Sequence, residues 1–133
     1  MRVLVCGGRQ FEDRGALDAA LDRLHARRGI SVLIAGGARG ADTFAYEWAV
    51  SRGISTEVYV ADWAKHDRKA GPIRNQRMLD GGRPDLVVAF PGGKGTAGMI
   101  ELARAAKVEV IEELCAEEAR ERLARSDLAA PRS

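Results

Sequence analysis

Short apolar runs alternate with stretches of helical periodicity along the chain. Residues 3–6 (Val-Leu-Val-Cys) form an apolar run closed by Gly7-Gly8, the pattern of a buried strand. Leu17, Leu21 and Leu24 recur at helical spacing and predict a helix over about 15–28, closed by Gly29. A second strand is predicted at 31–35, ending at Gly36-Gly37. Ala41, Phe44, Ala45 and Trp48 then fall on one helical face, and that helix stops at Gly53. A third strand follows at 56–60, then a polar stretch over 62–71, then a short helix over about 72–80 with Pro72 in its first turn. Residues 85–90 read as the fourth strand and 108–111 as the fifth. Met99, Leu102, Ala103 and Ala106 mark the helix between them, and 113–125 reads as a charged last helix.

Five strands separated by helices, several of them continuous apolar runs, predict an α/β Rossmann-like sandwich: a parallel sheet with helices on both faces. A single domain is expected over 1–125, with a flexible tail at 126–133. Ligands of such sheets bind beyond the carboxyl ends of the strands, where strand order reverses. The pattern leaves the order open; an order 3-2-1-4-5 would put the crevice between the loops after strands 1 and 4.

The chain's 133 residues suit one domain, and 46% hydrophobic content with 30% charge suits a globular core rather than disorder. No apolar run reaches the ~20 residues needed to span a bilayer, and the first residues do not form a signal peptide, so a cytoplasmic protein is expected. Two distant cysteines, Cys6 and Cys115, fit a reducing compartment without a disulfide framework. Two histidines with no metal-ligand spacing offer no metal site; Mg²⁺ enters only as the companion of a phosphorylated ligand. The net charge of +2 discriminates little, but 62–83 carries a local +3 and 109–122 a local −4.

Three predicted strands end in Gly-rich loops that feed helices: Gly7-Gly8-Arg9, Gly36-Gly37-Ala38-Arg39-Gly40-Ala41-Asp42, and Pro91-Gly92-Gly93-Lys94-Gly95-Thr96. Glycine allows close approach, and a helix N-terminus offers unpaired N–H groups to a phosphate. One such loop is ordinary turn geometry; three on one sheet edge point to a phosphorylated ligand. No GxGxxG follows the first strand, and Gly93-Lys94-Gly95 lacks the Lys-Ser/Thr pair of a P-loop.

The Pro91–Thr96 segment resembles the PGGxGT signature of the LOG phosphoribohydrolases, which release a base from a nucleoside 5′-monophosphate. The Gly36–Asp42 segment resembles the corresponding loop of the single-strand DNA-binding DprA proteins. Together with Ala61-Asp62-Trp63 and Ala70-Gly71-Pro72-Ile73-Arg74-Asn75, the chain is most similar to the YspA/cpYpsA-related SLOG family, over about residues 2–111. That resemblance implies a Rossmann-like fold binding a nucleotide or nucleotide-derived ligand, and by likeness to LOG proteins a homodimer. One departure is chemical. The Glu of the LOG pattern PGGxGTxxE falls on Met99, and Glu101 lies about 200° around the helix from it. Arg74 is the positional match for the LOG arginine and is expected to serve the ligand rather than the core, with Asn75 beside it to bond a sugar or base edge.

Each remaining candidate has a structural alternative. Arg9 suits a phosphate or a solvated loop. Asp42 suits ribose hydroxyls or the helix's first turn. Thr96 suits an N-cap or a phosphate donor. Trp63 is expected in the core, with stacking on a base as the alternative. Trp48 is expected in the core, and Cys6 as an inert buried thiol. Three functions remain open: a nucleotide-binding or sensor domain, a hydrolase using Asp42 or Glu101 as displaced carboxylate, and a single-strand nucleic-acid binder. The last would need a basic groove with stacking aromatics, and the chain has seven aromatic residues.

Overall fold

The computed structural model describes residues 1–113. The expected helix and tail beyond Glu113, and Cys115, lie outside the described residues. The strands are β1 (Arg2–Cys6), β2 (Val32–Ala35), β3 (Ser55–Val58), β4 (Leu86–Ala89) and β5 (Glu109–Glu112). The helices are α1 (Arg14–Arg28), α2 (Ala41–Ser51), α3 (Trp63–His66), α4 (Ala70–Gly82) and α5 (Lys94–Ala105). All four strand pairings are parallel, in the order β3-β2-β1-β4-β5. The order reverses between β1 and β4, and the crevice for a ligand opens there.

The sheet is covered on both faces, and side-chain alternation along each strand divides the core. Val3, Val5, Leu33, Ala35, Leu86 and Val88 point to one side, where they pack with Leu17 and Leu21 of α1 and Ala45 and Trp48 of α2. Leu4, Cys6, Ile34, Val87 and Ala89 point to the other, against Met78 and Leu79 of α4 and Met99 and Ala103 of α5. The central strands therefore read as unbroken apolar runs, because neither face meets water. β3 and β5 are the edges, with their first and last residues exposed and the central two partly buried. No described helix is long and apolar enough to cross a membrane.

The structure corrects the expected elements in three places. The polar stretch after β3 is not a loop: Trp63–His66 forms α3, capped by the Asp62 carboxylate on the Lys65 amide at 3.1 Å, and Asp67–Lys69 is a 3₁₀ turn running directly into α4. α4 accordingly begins two residues before Pro72; a proline is tolerated there because first-turn N–H groups lack intrahelical partners. Ala106 closes α5 as an exposed residue rather than continuing its buried face.

Leu33 is fully buried between β1 and β3. Leu33→Ala is expected to destabilise the fold by ~2–5 kcal/mol, read as a lower urea midpoint at unchanged slope; a loss below ~1 kcal/mol would show that the sheet's core does not carry the stability.

Candidate functional site

The loops after β1 and β4 are knitted together at the carboxyl edge of the sheet. The Gly8 amide donates to the Pro91 carbonyl at 2.9 Å, and the Gly8 carbonyl accepts from Ala41 at 3.3 Å. The approach admits no side chains. Gly40 has φ +76°, and a Cβ there would collide with the Gly8 carbonyl oxygen. A Cβ on Gly92 would collide with Thr96 Oγ1 and lie 2.6 Å from the Gly8 amide nitrogen. Gly40, Pro91 and Gly92, expected as ligand contacts, are thus the framework that brings the loops together.

This framework leaves a cavity of about 630 Å³ at the β1/β4 reversal. Gly7, Gly8 and Arg9 line it from the first loop, Asp42 from α2, Trp63 from α3, Arg74 and Asn75 from α4, Gly93 from the loop after β4, and Lys94, Gly95 and Thr96 from α5. Gly36, Gly37 and Arg39 line an adjoining chamber of about 240 Å³ that shares Arg9, Trp63 and Arg74 with the first. Glu101 is exposed and lines neither chamber. Sequence reasoning missed Gln10 and Arg68 as lining residues. Arg68 carried a faint signal in the basic balance of 62–83, and Gln10 carried none.

Two helix N-termini face this region, and they differ. α2 has its own anion: Asp42, 6% exposed, sits in the first turn and accepts the Ala38 amide at 3.2 Å. Its Ala41 amide is already directed at Gly8. α5 has no acidic residue in its first turn, and this is the difference, since neither Gly40 of α2 nor Gly93 of α5 has a side-chain cap. The dipole and unpaired N–H groups of α5 therefore remain available to an incoming anion, with Lys94 and Thr96 beside them.

Burial pushes the Asp42 carboxyl above its ordinary range, partly offset by the Ala38 amide and the positive charge of Arg74. Burial pushes the Cys6 thiol up to about 12, so it is no nucleophile at neutral pH. Arg74 Nη1 donates to the Gly36 carbonyl at 2.7 Å and Nε to Asn75 Oδ1 at 3.0 Å, while Asn75 Nδ2 donates to the Gly95 carbonyl at 3.2 Å. Arg74 and Asn75 thus bridge the β2 loop to the α5 turn. The expectation that Arg74 serves a ligand alone is corrected: it also holds the rim. Trp63 is corrected too. It is 48% exposed, because α3 carries it out of the core onto the cavity rim, where Arg9 lies 5.1 Å from its ring centroid. Trp48 is buried as expected. Among the described residues, no three His, Cys, Asp or Glu side chains gather to hold a metal ion.

Arg74→Ala is expected to lower stability by ~1–3 kcal/mol, because it strips the partner from the Gly36 carbonyl; an unchanged thermal midpoint would contradict a structural role. Asp42 gives a signed pH test. Its folded-state value lies above its unfolded one, so its ionisation destabilises the fold, and that contribution grows as pH rises through the folded value. Asp42→Asn is expected to gain melting temperature relative to wild type as pH rises above about 4, the ordinary aspartate range. A gap that narrows with rising pH would contradict this.

The model of the YspA, cpYpsA-related SLOG family matches residues 1–66, which run from β1 through α3. The Gene 61 protein of Mycobacterium phage D29 is 39% identical over 118 residues, covering 83% of this chain and 94% of the phage protein. Matched along its N-terminal half by the family model and over most of its length by the phage relative, the chain belongs to the YspA, cpYpsA-related SLOG family.

Proposed function

We propose that the chain binds a nucleotide or nucleotide-derived ligand at the carboxyl edge of the sheet and acts as a sensor or binding domain without turnover. The observation that carries this reading is the uncapped first turn of α5, which opens into a cavity at the β1/β4 reversal. A phosphate placed on the Gly93–Thr96 turn leaves Asp42 for ribose hydroxyls and the exposed indole of Trp63 for a base. Membership of the SLOG family supports a nucleotide-related role.

The chemistry of the lining argues for binding over hydrolysis. Met99 takes the place of the LOG glutamate and is fully buried against β1 and β4, where a thioether can neither transfer a proton nor stabilise an oxocarbenium ion. Glycosidic cleavage ordinarily uses a pair of carboxylates, and the cavity lining has Asp42 alone among the described residues. One observation favours a second reading: burial raises the proton affinity of Asp42, the tuning a general acid requires. Slow release of a base with Asp42 as the acid is that alternative.

Incubation with AMP, GMP and their base-modified relatives, followed by chromatography, separates the two. Nucleotide should bind measurably by calorimetry while no free base accumulates above the no-protein control. Robust base release, reduced ~10²–10⁴-fold in Asp42→Ala, would overturn the binding reading in favour of the hydrolase.

A further inference from the structure

Four cationic side chains line the main cavity: Arg9, Arg68, Arg74 and Lys94. Arg74 is occupied by the Gly36 carbonyl and Asn75, with the Asp42 charge nearby. Arg9, Arg68 and Lys94 form no ion pair among the described residues. They arrive from three different elements: the loop after β1, the 3₁₀ turn before α4, and the first turn of α5. A solvated arginine on a surface means little by itself. Three unpaired cations from separate elements, together with Arg74, outnumber the single carboxylate of the cavity, Asp42, whose charge faces Arg74 and Arg9.

A single phosphate does not use this excess of positive charge. The first turn of α5 and Lys94 suffice for one phosphate, leaving Arg9 and Arg68, whose planar guanidinium groups suit a further phosphate. Space for more than a mononucleotide is present as well. The two chambers share Arg9, Ala38, Trp63 and Arg74, and the smaller one adds Arg39.

We propose that the ligand carries at least two phosphates, as a nucleoside diphosphate or a larger pyrophosphate-linked nucleotide does. The first sits on the α5 turn with Lys94, and the next is held by Arg9 and Arg68. This rests on the nucleotide reading above and adds the charge class of the ligand. Arg9 meets the second phosphate from its place against Trp63, so binding there is felt by the exposed indole.

Calorimetry on the full chain in EDTA, with AMP, ADP, GMP, GDP and inorganic pyrophosphate, tests the proposal. In whichever base series binds, the diphosphate should bind roughly tenfold to a hundredfold tighter than the monophosphate. Arg9→Ala combined with Arg68→Ala should bring that ratio close to one. Both side chains are exposed, and the wild-type comparison stands without the variant. A monophosphate bound as tightly as its diphosphate, or a ratio unchanged in the double variant, would overturn the proposal and leave the nucleotide reading standing. Pyrophosphate binding with no nucleotide bound, or no binding at all, would overturn both.

Discussion

The Asp42 carboxylate lies buried in the first turn of α2, bonded to the Ala38 amide, and it makes two otherwise similar Gly-rich loops unequal. A helix N-terminus attracts one anion. At α2 that anion belongs to the protein, and the Ala41 amide is directed at Gly8. At α5 the first turn carries no acidic residue. The same carboxylate places a negative charge beside Arg74, whose hydrogen bond to Gly36 fixes the β2 loop against α4. One side chain thus makes the α2 end of the cavity negative, and the proposed phosphate is placed at α5 for that reason. Burying this carboxylate raises its proton affinity, so its ionisation works against the stability of the fold.

The cavity exists because backbone can approach backbone. Gly8, Gly40 and Gly92 let the loops after β1 and β4 and the start of α2 touch without side chains between them. The sheet behind them is rigid, since β1, β2 and β4 are packed on both faces. α3 and the 3₁₀ turn add what the sheet cannot: Trp63 and Arg68, carried out over the rim by a segment with too few apolar residues to enter the core.

Much of this was legible in the residues. The apolar runs around Leu4, Leu33 and Val87 meant strands buried on both faces, and the Gly-rich loops marked the carboxyl edge. Strand order was not legible, because it depends on packing between distant segments. α3 escaped because four residues show no helical period. Trp63 escaped because an indole after a strand is usually core; only the turn into α3 turns it outward. Asp42 was found, but its two roles cannot be separated by spacing, since the first turn of a helix and the wall of a cavity are the same place here. Arg74 was read as a ligand contact alone, because nothing in the chain announces a hydrogen bond to Gly36, 38 positions away.

The central claim is that α5, and not α2, holds the anion. A crystal structure of the chain soaked with a nucleotide, or with sulfate as its simplest stand-in, measures this directly. An anion should lie within hydrogen-bond distance of backbone N–H groups in the Gly93–Thr96 turn, with the first turn of α2 still filled by the Asp42 carboxylate. An anion bound at Ala38–Asp42, with the α5 turn vacant at the same concentration, would contradict the account.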